Sequence, residues 1–313
     1  MSNNNPIISV AIPAYKSEFL SEAIDSILDQ TIQDFELIIV NDASPHPIDE
    51  VVNKYQDSRI RYYCNAVNLG TKDPVANWNK CLSYATGKYF CLLCDDDIYL
   101  SSFLEEMVKL AESNKSCNVF KSGVSIVDSN DKEVGCYPES PAWESCYDYI
   151  YNVSLRKRKQ TISEWMFRRE HIVSLGGYEP VPLAWGADYL SIMKFAVEGG
   201  LASTNDRLVK FRQSGLNLST MSDSNVENKL LGVLEYERKL RNLANSNSQL
   251  SDPVIAQSIY DIKVFEQKAL FSGTSPKAMF RLYPKLGSLG INSTMWLAST
   301  IKQIIKRILC VFS

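Results

Sequence analysis

Apolar runs of strand length alternate with amphipathic segments of helix length from Ile7 to Asn114, with only short connections between them. "IISVAIPAY", Ile7 to Tyr15, reads as a strand buried on both faces. The next segment places Leu20, Ala23, Ile24, Ile27 and Leu28 on one helical face, with Ser17 as the expected N-cap. "FELIIVND", Phe35 to Asp42, is a second buried strand, followed by a helix around Ile48 to Tyr55 and a short strand in "RIRYYC". "DPVANWNKCLSYATG" predicts a helix with Pro74 in its first turn and Gly87 at its end. "KYFCLLC" is another strand, and Ser102 with Glu105 predicts a capping box for "FLEEMVKLAESN". A helix between successive strands implies a parallel, doubly wound sheet.

Such sheets bind ligands in the crevice beyond the carboxyl ends of their strands. Pro13 to Tyr15, Asp42 and the triplet Asp95, Asp96 and Asp97 all fall at those ends. Three adjacent carboxylates repel: at ~4 Å two unit charges cost about 1 kcal/mol in water and more near a protein surface. Acids that merely approach a helix N-terminus account for one aspartate, not three. A hard divalent cation, Mg²⁺ or Mn²⁺, held by one or two carboxylates and by ligand phosphates, accounts for the cluster. Asp42 closes its strand either as a turn-forming residue or as an acceptor for the imide N–H of a pyrimidine.

After Ser116 the pattern loosens. "CNVFKSGVSIVDSN" predicts strand with a turn at Ser129 to Asp131, "YPESPAWES" a loop, and "WGADYLSIMKFAVEGG" a loop leading into a helix. From about Ser222 the chain reads as helices. The division expected is 1–220, with a first half 1–115 and a second 116–220, then a helical region 221–313. The net charge of −3 gives nothing that favours nucleic acid. Eight cysteines show no paired framework, and the N-terminus lacks a secretory pattern, so a reducing cytoplasm is expected. Cys91 and Cys94 should point to opposite faces of one strand and read as buried thiols. "RKRK", Arg156 to Lys159, reads first as a solvated surface and second as a site for phosphates or an anionic membrane. No apolar run reaches the ~20 residues that span a bilayer. In 293–312, however, Leu297, Ile301, Ile304, Ile305, Ile308, Leu309 and Phe312 form one apolar face, with Lys302, Lys306 and Arg307 opposite. That is the pattern of an interfacial helix in peripheral membrane contact, or of a terminal helix packed on its own domain.

"ISVAIPAYKSEFLSEAIDSILDQTIQDFELIIVNDAS" resembles the opening of the family-2 inverting glycosyltransferases of the GT-A fold, in their bacterial polysaccharide type. "ATGKYFCLLCDDDIY" is similar to their Asp-x-Asp segment. "GGYEP" followed by "ADYLSIMKFA" is similar to their acceptor region. The resemblance covers about residues 7 to 215. It implies a Rossmann-like, mostly parallel sheet with a C-terminal helical appendage. It also implies a nucleotide-diphospho-sugar donor, UDP-linked, and a glycan or polyprenyl-diphosphate-linked acceptor. Pro13, Ala14 and Tyr15 would line the base, Asp42 would hydrogen-bond it, and Asn77 and Asp95 would belong to the donor site, Asp95 at the ribose. Asp96, with Asp97, would hold Mn²⁺ or Mg²⁺. Gly177, Tyr178 and Trp185 would meet the acceptor, and Asp188 would be the general base.

The chain departs from the family pattern at three places. Cys94 replaces a common aspartate, Ala187 replaces the glutamate before Asp188, and "FRQS" replaces Tyr-Arg-x-His, leaving Arg212 as the residue for the diphosphate. Two other readings stand beside this one. A sugar-1-phosphate nucleotidyltransferase shares the sheet type, but "PAYKSEFL" lacks its Gly-rich basic loop. A degenerate transferase acting as a scaffold would explain the lost glutamate and histidine.

Overall fold

The computed structural model describes residues 5–70, 73–213, 225–285, 287, 294, 296–298, 300–302 and 305. The first half runs β1 (Ile8–Ala14), α1 (Leu20–Leu28), β2 (Phe35–Asn41), α2 (Ile48–Val52), β3 (Ile60–Cys64), α3 (Pro74–Tyr84), β4 (Tyr89–Leu92), β5 (Ile98–Tyr99) and α4 (Phe103–Ser113). The second half continues with β6 (Val119–Val127), β7 (Glu133–Cys136), β8 (Trp143–Glu144), α5 (Cys146–Ser154), β9 (Trp165–Arg168), α6 (Arg169–Ser174), α7 (Ala187–Phe195) and β10 (Leu201–Arg212). Three helices follow: α8 (Val226–Asn245), α9 (Pro253–Gly273) and α10 (Pro276–Leu282).

The strands form one sheet in the order β3-β2-β1-β4-β9-β6-β10-β5. β3, β2, β1 and β4 are parallel, as the helical crossovers require. β9 then runs antiparallel between β4 and β6, so the second half extends the first half's sheet. The parallel strands are buried on both faces, which is why they read as unbroken apolar runs. Ala11, Ile38, Val40 and Phe90 enter one core. Val10, Ile12, Leu37, Ile39 and Cys91 enter the other. Cys94 packs against the first core, so the two cysteines do face opposite ways.

Two expected caps are not used. The N-cap of α1 is Phe19, without a side-chain bond, rather than Ser17, and Ser102 makes no capping bond to α4. Buried Gln30, just past the end of α1, serves α4 instead. Its Oε1 accepts from the Leu104 N–H at 2.9 Å, and its Nε2 donates to the carbonyls of Ser26 and Leu100 at 2.8 Å each. Glu105 accepts from Thr31 and pairs with Lys109. Pro74 opens α3 as expected, Asp73 caps it by receiving the Ala76 N–H, and the helix ends at Tyr84, three residues before Gly87.

The C-terminal helices are not a detached appendage. Tyr236, Leu240, Ile255, Ile259 and Ile262 of α8 and α9 join the same core as Phe90 and Phe167. Three residues of the basic run, Arg156, Lys157 and Lys159, are exposed as the solvated-surface reading expects, though two of the four have partners. Arg156 lies over the Phe265 ring at 3.6 Å, and Arg158 pairs with buried Glu144 at 2.8 Å. Ser214 and most of 293–312 lie outside the described residues. Of the tail positions that are described, Trp296 is buried and donates to the Met279 carbonyl of α10, while Leu297, Ile301 and Ile305 are exposed. No helix among the described residues is long and apolar enough to cross a membrane.

Candidate active site

The ends of β1, β2 and β4 meet, and hydrogen bonds tie their loops together. The Asp42 N–H donates to the Ala14 carbonyl. Asp95 Oδ2 accepts from the backbone N–H groups of Tyr15 at 2.8 Å and Lys16 at 2.6 Å. This clasp fixes the loop after β1 over the start of the aspartate triplet. All three aspartates are buried, at 5%, 3% and 1% exposure, so the cost of their mutual repulsion is not relieved by water.

Each aspartate has a separate set of partners. Asp96 binds the Lys16 ammonium in a short contact, and the same ammonium lies 3.4 Å from Asp95 Oδ1. Burial works to lower the Lys16 pKa, but the charges of Asp95 and Asp96 outweigh it and hold the group above its usual range. Asp97 Oδ2 accepts from Ser163 at 2.5 Å, and its Oδ1 accepts from the Arg212 N–H at 3.0 Å. Burial and then the Asp96 charge push the Asp97 carboxyl well above the ordinary range. One donor atom from each of Cys94, Asp96 and Asp97 lies within 4.8 Å of the others. Burial and the nearby aspartates raise the Cys94 pKa, and two of the three donors are hard carboxylates. That donor set fits a Mg²⁺- or Mn²⁺-type ion better than a thiolate-seeking one.

Asp42 is 2% exposed and holds the 65–70 loop. Its Oδ1 accepts from Asn65 Nδ2 at 2.8 Å and the Leu69 N–H at 2.9 Å, and its Oδ2 accepts from the Gly70 N–H at 2.7 Å. With about four acceptor positions on a carboxylate, one on Oδ2 remains. A side chain at Gly70 would sit 2.9 Å from that oxygen, so the loop approaches this closely only through glycine. Asn77 is buried in the same network and accepts from Asn65 at 3.0 Å. Tyr15 is 36% exposed, its ring edge-on to His46. Pro13 is half-buried.

Four expected site residues have structural positions instead. Ala14 is fully buried in the core beneath the crevice and cannot present its side chain to a base. Gly177 and Tyr178 are buried against α3, where Asn79 accepts the Tyr178 N–H and donates to its carbonyl. A Cβ on Gly177 would fall 2.3 Å from Asn79 Oδ1, and its φ of +77° also demands glycine. Both residues dock a turn onto α3. Arg212 is 1% exposed, lies over the Phe19 ring, pairs with Glu22 at 2.6 Å and donates to the Asp96 carbonyl at 3.1 Å. Through its backbone N–H and guanidinium it braces the triplet at Asp97 and Asp96.

Asp188 begins α7 and remains partly exposed. Burial holds its carboxyl above the usual range, although Gln160 donates to it at 3.2 Å. Gln160 is itself held by the buried Tyr149 hydroxyl. Asp97, Asp188 and Glu164 all act electrostatically on the Tyr137 phenol, which burial and these charges push up.

Two carboxyl groups that the sequence did not single out act electrostatically with Asp188. Glu164 is fully buried, 3.5 Å from Lys121, and its Oε1 makes no hydrogen bond. Glu266 of α9 accepts from the Trp185 indole N–H at 3.0 Å, and burial pushes its carboxyl up to about 7. Trp185 itself is partly exposed beside Asp188. Its approach passes through left-handed backbone at Leu183 and Ala184, with φ of 54° and 53°. Gly232 of α8 presses against this turn: a Cβ there would meet the Pro182 carbonyl at 2.8 Å and Trp185 Cβ at 2.9 Å. The C-terminal helices therefore set the position of the Trp185 ring.

Residues 9–170 match the model of the family described as "Glycosyl transferase family 2". The chain belongs to glycosyl transferase family 2. An uncharacterized glycosyltransferase of Methanocaldococcus jannaschii is 36% identical over 132 residues, 41% of this chain and 44% of the relative. This family-2 chain thus aligns with less than half the length of that relative. An uncharacterized glycosyltransferase of Haemophilus influenzae is 26% identical over 234 residues, covering 70% of this chain and 69% of its own length. The fold is also that of S. aureus TarS 1-349, solved in complex with UDP, at 17% identity and a TM-score of 0.57 over 94% of this chain and 88% of that one. A mannosyltransferase from Pyrobaculum calidifontis, solved with GDP-Man and Mn²⁺, has the same TM-score at 18% identity, over 97% and 87%. The GT-A assignment of this family-2 chain thus holds over the helical region as well as the sheet.

Proposed function

We propose that this family-2 chain is an inverting, divalent-metal-dependent glycosyltransferase. It moves a sugar from a nucleotide-diphospho-sugar, UDP-linked, to a hydroxyl of a glycan or lipid-linked glycan in bacterial surface polysaccharide synthesis. The observation that carries this reading is the pair of buried carboxylates beyond the end of β4, Asp96 and Asp97, whose donor atoms lie within 4.8 Å of each other.

The acceptor hydroxyl oxygen bonds to the anomeric carbon as the bond from that carbon to the phosphate oxygen breaks. The electron pair of the broken bond leaves with the nucleoside diphosphate. The hydroxyl proton passes to Asp188, whose raised pKa makes it a better base than an ordinary carboxylate. A bound Mg²⁺ or Mn²⁺, held by Asp96 and Asp97, would act as a Lewis acid on the departing diphosphate. Asp42 offers its remaining Oδ2 position, and Tyr15 its exposed ring, to the base. Trp185 offers an indole face to an acceptor sugar, and Glu266 holds that ring in place. Glu164 supplies a second carboxylate near Asp188, where the family's neighbouring glutamate is absent.

A panel of UDP-, GDP- and dTDP-sugars tests the donor reading. One of them should release nucleoside diphosphate with Mn²⁺ and not with chelator. Release from none, with or without metal, contradicts it.

The tail also has a place in this reading. Exposed Leu297, Ile301 and Ile305 share a spacing of four, and exposed Phe280 and Tyr283 lie just before the tail in sequence. We assign this face to an anionic membrane surface carrying the acceptor. The full chain should float with anionic liposomes and a chain ending near residue 290 should not; equal behaviour of the two sinks the assignment.

A further inference from the structure

The acid cluster already holds a cation of its own. Lys16 follows Tyr15 in the loop after β1, and its ammonium bridges Asp96 Oδ2 and Asp95 Oδ1. Its backbone N–H is fixed on the other Asp95 oxygen, so the root of the side chain cannot drift. The side chain is 21% exposed, whereas the carboxylates it bridges are 6% and 4% exposed. The Lys16 side chain is therefore less buried than the acids it bridges.

Asp96 is also one of the two carboxylates that fit a divalent cation. An ammonium and a dication cannot share one buried carboxylate, because like charges at contact distance repel strongly where water does not screen them. The other cation near the triplet, Arg212, is buried and engaged with Glu22, the Phe19 ring and the Asp96 carbonyl. Lys16 has what Arg212 lacks: an exposed flank, and a flexible four-carbon stem ending in a compact charge suited to phosphate.

We propose that Lys16 is a tethered counter-cation that occupies Asp96 until a nucleoside diphosphate arrives, and then moves to the diphosphate as the divalent ion takes its place. The proposal rests on the nucleotide-sugar reading above and adds an order to it. The free protein binds metal poorly, and metal and nucleotide enter together.

The test is Mn²⁺ titration of the full chain, followed by the paramagnetic resonance of free Mn²⁺, without nucleotide and with UDP or GDP. The wild type should bind Mn²⁺ at least ~10-fold more tightly with nucleotide. Lys16→Met should bind Mn²⁺ at least ~10-fold more tightly than wild type without nucleotide, and should bind the nucleotide–Mn²⁺ pair at least ~10-fold less tightly. Lys16→Arg keeps the charge and should leave the nucleotide-free Mn²⁺ affinity near wild type. Unchanged nucleotide-free affinity in a folded Lys16→Met overturns the proposal.

If Lys16→Met does not fold, the wild-type ammonium resonance, assigned by its loss in Lys16→Arg, decides. It should shift with Mg²⁺ plus nucleotide and stay in place with Mg²⁺ at the same concentration alone. A resonance that ignores both together overturns the proposal. Failure of any nucleotide to bind wild type would instead count against the donor reading, since the nucleotide-free Mn²⁺ comparison stands without it.

Discussion

Asp188→Asn is expected to lower transfer at least ~100-fold while leaving nucleotide binding unchanged, the usual scale for removing a general base. Asparagine keeps the size of the side chain and can still accept the Gln160 amide through its own carbonyl, so α7 and its contact with Gln160 should stand. What is lost is the ability to take a proton. The raised carboxyl pKa adds a pH signature with a definite sign. The protonated acid cannot act as a base, so wild-type kcat should rise with pH through a limb displaced to the alkaline side of an ordinary aspartate. In Asp188→Asn that limb should vanish from the residual rate. Near wild-type transfer by the variant would move the base elsewhere, with Glu164 and Glu266 the carboxylates nearest to hand.

The second large effect is expected at Asp96. Asp96→Ala should abolish Mn²⁺-dependent nucleotide binding without unfolding the chain. Asp95 keeps its clasp on the Tyr15 and Lys16 amides, and Asp97 keeps Ser163 and the Arg212 N–H. Removing the Asp96 charge also removes one of the two causes that raise the Asp97 carboxyl, so Asp97 should titrate closer to an ordinary aspartate in the variant. Nucleotide affinity that matches wild type in calorimetry, with metal and without, would rule out Asp96 as the ligand.

The sheet was legible in the sequence because its strands are buried on both faces and read as plain apolar runs, as in Ile8–Ala14 and Phe35–Asn41. Three of those runs end in chemically marked residues, so the crevice was legible too. The partners of those residues were not. The backbone clasp on Asp95 joins groups 79 and 80 positions apart, and the Trp185–Glu266 bond spans 81. No local pattern marks a glutamate on one amphipathic helix as the one that turns inward. Arg212 is a related case. The resemblance gave it a diphosphate, and the sequence could not show that Glu22 and the Phe19 ring hold it in this structure. Gly177 and Tyr178 stood out by position in a motif, and the structure explains them through Asn79 and a left-handed turn. The cap at Ser102 failed because Gln30, distant in sequence from α4, satisfies that helix's amide instead, while α1 simply begins after Phe19 with no side-chain cap.

The central claim is that the crevice beyond β1, β2 and β4 takes a nucleoside diphosphate together with a divalent ion on Asp96 and Asp97. Isothermal calorimetry of UDP and of GDP into the wild-type chain, in Mn²⁺ and then in chelator, tests it most directly. The expected result is saturable one-to-one binding of one nucleotide in Mn²⁺, weakened at least ~10-fold by chelator. Binding of neither nucleotide in Mn²⁺, or binding of equal strength in chelator, would contradict it.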